Sequence, residues 1–309
     1  LIAIWILLNR KHYRNARNQS VPLYSSRLWV VFLAINRFNQ LLLIVFTKPI
    51  NMASGVSIFD QEQKYNYSEP AAPCDPAAFA QVVESRRSVR VYNGDPIPEE
   101  VVRECLRLAL LAPNSSNLQT WEFYWVRDPE KKAALVEACL NQPAAKTAAE
   151  LLVAVSRHDL WRQRNNQMLG LFNPEKIAKR KSAYQYHNVV IPMAYEQGIL
   201  EWRGWVKRLA MWARGLSKPT PRSPKSNSDM RVIGHKSVAL ACENLMLAFR
   251  ANGFDTCPME GFDGVRVRRI LNLPSSAEIT MVVSAGKRAE NGVYGKRLRF
   301  DSAQFIKEV

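Results

Sequence analysis

The chain has 309 residues, an apolar content of 47% and a formal net charge of +16. That length and composition exclude a disordered or disulfide-framework protein and allow one large folded body with a sizeable core. The charge at first favours nucleic acid or an anionic membrane as partner, but its distribution argues against nucleic acid. Residues 1–51 carry seven Lys/Arg and no acid, and residues 159–230 carry thirteen against five. The remainder, 23 basic and 22 acidic residues, is close to neutral and has no recognition motif. Five widely spaced cysteines without a CxxC pair indicate neither a zinc site nor a disulfide framework, and reduced thiols in a cytoplasmic compartment are expected.

The first fifty residues start at Leu1. Their apolar stretches, 1–8 and 41–46, are too short to cross a bilayer, and no signal-peptide pattern is present. Residues 1–51 are read as a non-native or disordered extension ahead of a body beginning at Met52; a membrane-associating extension is the other reading. Asp75-Pro76 starts a short helix with a capping acid and a proline in its first turn. The stretch Arg86-Arg87-Ser88-Val89-Arg90 then concentrates three guanidinium groups, which are rigid, permanently charged and suited to phosphate, although a plain basic turn has the same composition. Pro98-Glu99-Glu100 opens a second helix that ends by Pro113. The polar run Pro113-Asn114-Ser115-Ser116-Asn117-Leu118-Gln119 reads as a loop, residues 122–126 as a strand, 130–140 as a helix and 151–155 as a buried strand.

Residues 159–230 are basic and contain Trp161, Trp202, Trp205 and Trp212, with an amphipathic pattern over 195–214 and a Ser/Pro/Lys-rich linker over 217–229. The body resumes at Met230 with an apolar helix over 238–250 that stops at Gly253. Residues 254–263 read as a turn-rich loop, Asp263 as the cap of a helix over 264–271, and 279–284 as a strand. His187 and His235 look isolated and structural, and Cys257 looks like a buried structural thiol. No protein nucleophile or catalytic triad is indicated.

Four segments in this order resemble the FMN-dependent nitroreductases: 86–92, Ala112 to Trp121, Ala241 to Phe249 leading into 253–262, and the basic close Lys296-Arg297-Leu298-Arg299. The resemblance implies an α+β sandwich, with a mostly antiparallel central sheet flanked by helices and a helical insertion at 159–230, together forming one FMN-binding domain over 52–309. It implies a homodimer with FMN at the interface and NADH or NADPH as electron donor. It further implies that Arg86, Arg87, Ser88, Arg90, Arg297 and Arg299 hold the phosphate. Pro113, Asn114, Ser115, Ser116 and Asn117 would reach the flavin held mainly by the partner subunit. Gln119 and Asn141 would lie near the ribityl chain or ring, and the Glu260-Gly261 backbone would face N5 and O4. No G-x-G-x-x-G follows a strand, which fits a nicotinamide stacking directly on flavin. The implied reaction passes hydride through the flavin to a quinone, nitroaromatic or activated alkene. A reductive aromatic dehalogenase, a flavin-degrading enzyme, and a flavin-binding or membrane-associated module without turnover are the alternatives. For the insertion three roles stay open: a surface excursion whose tryptophans pack on the body, an aromatic-substrate lid, and a peripheral membrane contact.

Overall fold

The computed structural model describes residues 68–172, 181–198 and 201–309. The extension expected over 1–51 lies outside the described residues. Four strands form one antiparallel sheet in the order β1-β2-β4-β3: β1 Trp121–Trp125, β2 Glu150–Ser156, β3 Asp255–Met259 and β4 Glu278–Gly286. The helices are α1 Pro76–Ser85, α2 Glu99–Ala109, α3 Pro129–Ala138, α4 Pro143–Lys146, α5 Trp161–Leu171, α6 Lys181–Gln185, α7 Ile191–Tyr195, α8 Trp202–Arg214, α9 Asn227–Ala251 and α10 Gly264–Ile270.

The alternation of side chains along the two central strands explains the sandwich. Leu152, Ala154, Met281, Val283 and Ala285 pack with Val238, Ala241, Leu245 and Phe249 of α9 and with Val102, Cys105 and Ala109 of α2. Leu151, Val153, Val155 and Val282 point the other way, onto Leu135 and Ala138 of α3, Ala144 and Ala145 of α4 and Val267 of α10. Because helices cover both faces, β2 and β4 are apolar at nearly every position, which is why they read as continuous hydrophobic runs. The 25-residue helix α9 is long and apolar enough to span a bilayer, but half of that apolar window is buried in the body, as a core helix requires.

Local chemistry fixes most boundaries. Asp75, Asp128 and Asp263 each accept backbone N–H bonds at the starts of α1, α3 and α10. Ser226 caps α9 by accepting from the Asp229 amide, and Gly253, at φ +82°, turns the chain out of its far end.

Three expectations are corrected. Residues 255–259 form a strand, not part of a loop: Pro258 is tolerated because β3 is an edge strand, where a missing N–H can face away from the ladder. Helix α9 begins at Asn227, so the linker over 217–229 is shorter than its composition indicates, and Pro224 and Ser226 are buried. The helical pattern over 195–214 is broken: Tyr195 ends α7, and α8 starts only at Trp202. His235 is a satisfied structural histidine, as expected, with Thr280 Oγ1 and Glu278 Oε2 each 2.9 Å from one of its ring nitrogens.

The segment after α1 closes the sheet edge. Ser88 forms a parallel bridge to Thr256 and Tyr92 an antiparallel bridge to Arg288, and the Tyr92 hydroxyl is buried against the Ser284 carbonyl (3.1 Å) and Oγ (2.9 Å). Tyr92→Phe removes that hydroxyl and leaves the Ser284 groups underused. Urea denaturation should register a loss of about 1–2 kcal/mol.

Candidate functional site

Three groups of predicted residues occupy three places. The first is the arginine stretch. Helix α1 stops because Arg86 leaves helical geometry (ψ 130°), and residues 88–92 then run between the start of β3 and the C-terminal tail. The Val89 amide donates to Thr256 O (3.0 Å) and the Arg90 amide to Gly292 O (2.7 Å). Arg87 Nη2 donates to Gly295 O (2.6 Å), and Arg297 Nη2 donates to the carbonyls of Glu84 and Arg86 at the end of α1. The tail is thereby tied beside the arginines, and the Arg297 Nη2 group expected to hold phosphate is instead engaged by backbone carbonyls. Arg299 is not brought in: its only side-chain bond among the described residues goes to the adjacent Leu298 carbonyl.

Charge in this cluster is poorly neutralised. Among the described residues Arg86 has one carboxylate partner, Glu243 at 3.7 Å, and its buried Nε has none. The Arg90 guanidinium has neither a hydrogen bond nor an ion pair among the described residues. Thr256 Oγ1, on the residue bridged to Ser88, is also buried without a hydrogen-bond partner among the described residues. Orphaned donors among excess cations fit a multiply charged oxyanion such as a phosphate ester. The neighbouring Cys257 thiol is buried, and burial pushes its pKa up against the opposing pull of Arg90, so it stays a packed thiol.

The second place is the turn after β3. Leu140 and Asn141 both adopt left-handed backbone (φ 59° and 55°) at the end of α3. Gln142 then reaches across, its Nε2 donating to Gly261 O (2.7 Å) and Cys139 O (3.1 Å), while the Asp263 amide donates to Ala138 O (2.8 Å). Asn141 and Glu260-Gly261 are therefore neighbours, and all three are exposed. Gln142 was missed by the sequence reading; it lies 119 positions from its partner and has no local signature. Thr256 and Gly261 are five residues apart on one strand and its following turn, a separation of no more than about 17 Å. One elongated ligand along this edge can have its anionic end at the arginines and its planar end at the turn.

The third place is the loop 113–119, which starts at exposed Pro113. Ser116, Asn117 and Gln119 have φ of 56°, 51° and 48°, an uncommon backbone for residues other than glycine. The surroundings hold it: Asn114 Oδ1 accepts from the Gln119 amide (2.8 Å), Ser115 Oγ meets Tyr195 Oη (2.8 Å), and Ser116 Oγ meets Tyr186 Oη (2.8 Å). Strain maintained by dedicated hydrogen bonds is typical of a functional loop. Tyr186 and Tyr195 belong to the insertion, so that segment positions the loop; the sequence offered no signal for either contact. The loop packs on Ser237, in the first half of α9, whereas Arg86 pairs with Glu243 farther along.

Beside this loop, Glu278 takes hydrogen bonds from Arg231 and His235 and lies 3.9 Å from His158 Nε2. Burial alone would raise its pKa, but Arg231 and His235 outweigh burial and bring it from 4.5 to about 2. A depressed carboxylate contributes stability that is complete above its unfolded pKa and is lost as pH falls through its folded one. Thermal unfolding between pH 4.5 and 2 should therefore show an acid loss that Glu278→Gln lacks.

Sheet and flanking helices define an α+β sandwich, with the arginine cluster at one edge of its sheet. The chain belongs to the Nitroreductase family, whose model matches residues 83–287. It is 34% identical over 213 residues to a protein named NADH dehydrogenase from Thermus thermophilus, covering 69% of this chain and 88% of that one. It is 29% identical over 217 residues to 4-nitrobenzoate reductase from Pseudomonas putida, covering 69% and 86%. Among solved structures, a protein from Exiguobacterium sibiricum in complex with FMN shares the fold at a TM-score of 0.53 and 20% identity, covering 79% of this chain and 100% of that one.

Proposed function

We propose that the protein is an FMN-dependent oxidoreductase that takes hydride from NADH or NADPH and delivers it to a quinone, nitroaromatic or activated alkene. The observation that carries this reading is the arginine cluster with its unpartnered Arg86 Nε, at one end of an edge strand whose other end is the open Glu260-Gly261 turn. Family membership, a reductase relative and a structural neighbour holding FMN support it.

Arg86, Arg87, Arg90 and Ser88 would bind the phosphate dianion, with Arg297 keeping the tail in place against the end of α1. Asn141 and the 260–261 backbone would offer donors along the ring edge, where fixed dipoles favour the anionic reduced form. When bound, FMN supplies reversible two-electron chemistry that no side chain of this protein provides. The loop 113–119 would complete the site of a partner subunit in a homodimer, consistent with its packing on a different part of α9 from Arg86. Cytoplasmic location accords with free thiols at all five cysteines.

The test is direct. The purified protein should be yellow, bleach on anaerobic addition of NADH or NADPH, and recover its colour with one equivalent of quinone. Its mass by light scattering should be twice 35.2 kDa. Absence of bound flavin would overturn the reading. Flavin that neither nucleotide bleaches would shift it to the dehalogenase, flavin-degrading or non-catalytic alternatives.

A further inference from the structure

Helix α8 is built inside out. At 3.6 residues per turn, Gly204, Lys207, Met211 and the C-cap Gly215 fall on one side, and Trp205, Leu209 and Trp212 on the other, continued by Leu216 in the turn that follows the helix. The first side faces the protein. A Cβ at Gly204 would collide with the Lys225 carbonyl, and Lys207 Nζ donates to Ala194 O (2.7 Å) and Glu196 O (2.6 Å). The second side is open: Trp205 is 67% exposed, Leu209 62%, Trp212 60% and Leu216 72%. Of the three roles open for the insertion, the one in which its tryptophans pack on the body therefore fails for Trp205 and Trp212. Four large apolar residues in one stripe form a contact surface, unlike scattered exposed hydrophobics.

The charge around the stripe identifies its occupant. From Trp202 to Lys225 there are seven Lys/Arg and no Asp or Glu. Arg208 borders the stripe and lies 4.7 Å over the Trp205 ring, whereas Arg203 and Arg214 are exposed on the side of the helix turned away from it. A two-fold contact with a second copy would bring two such clusters together and is disfavoured by their repulsion. An apolar substrate would not account for the cations. A surface that takes up indole rings at its boundary and carries negative headgroups satisfies both halves of the pattern. We infer that α8 docks the protein on an anionic lipid surface, with Trp205, Leu209, Trp212 and Leu216 entering the headgroup boundary and Arg208, at the border of the stripe, meeting lipid phosphates and carboxylates. The inference does not depend on the flavin assignment.

The experiment is co-sedimentation of the full chain with vesicles of phosphatidylcholine alone or with about three-tenths phosphatidylserine. The wild type should bind the mixed vesicles at least tenfold more tightly than the neutral ones, and high salt should erase the difference. W205S/W212S should lose at least tenfold in affinity, and R208E should lose most of the serine-lipid preference, with unchanged circular dichroism in both. Equal binding by wild type and W205S/W212S would overturn the inference by assigning attachment to another segment, such as the basic residues 1–51. It would also be overturned if wild type ignored both vesicles but formed larger assemblies that W205S/W212S did not.

Discussion

A chain carrying Arg86→Ala and Arg90→Ala should purify colourless, folded and inactive. Each charge-assisted bond from guanidinium to phosphate is worth about 1.5–3 kcal/mol, so losing two weakens FMN binding by roughly 3–6 kcal/mol, or two to four powers of ten. The fold should survive. The Arg86 ion pair spans 3.7 Å to a half-exposed Glu243, and such pairs contribute about 0–1 kcal/mol. Arg90 makes no ion pair among the described residues. Flavin absorbance per chain and the FMN dissociation constant are the measurements, with circular dichroism as the check on folding. Arg299→Ala provides the contrast: its guanidinium turns back to the Leu298 carbonyl, so that variant should keep its flavin. Full flavin retention in the double variant would remove the phosphate assignment.

What the sequence made legible was local. Asp75, Asp263 and Gly253 act within three or four residues, so cap and stop chemistry located α1, α10 and the end of α9. The arginine stretch was legible for the same reason, as three guanidinium groups within five positions. Contacts across long separations were not. Glu278 meets His235 from 43 positions away and Gln142 meets Gly261 from 119, and neither pair leaves a periodic or spaced mark. Strand β3 was hidden because Pro258 reads as a turn residue, and only the order of the sheet reveals that it lies on an edge. In α8 the periodicity showed a stripe but not its direction. Burial of the opposite, glycine-bearing side is a tertiary outcome, since the stripe itself is the more apolar choice for a core.

Asp255 is where stability and the site are joined, and Asp255→Asn should damage both. Its side chain is only 3% exposed. Oδ1 accepts from Arg250 Nη1 (2.9 Å) and Arg288 Nη2 (2.7 Å), and Oδ2 accepts from Arg288 Nε (3.1 Å). One carboxylate thus joins the end of α9, the start of β3 and the tail that follows β4. An amide of the same shape keeps one acceptor but leaves two guanidinium groups without a counter-charge. Breaking one side of a buried pair costs about 3–5 kcal/mol; because both arginines reach solvent, about 3 kcal/mol is expected. For a domain of this size the Tm should fall by roughly 6–12 °C. Added salt should restore little of it, since a buried pair is weakly screened. The next residue is Thr256, whose backbone holds Ser88 and Val89, and Arg288 leads into the tail that carries Arg297. FMN should therefore bind more weakly in Asp255→Asn below its own Tm, though less so than in the double arginine variant, because all phosphate-facing groups remain present. A normal Tm with normal flavin affinity would mean that the two arginines are held by packing alone, and that the carboxylate does not organise this edge of the sheet.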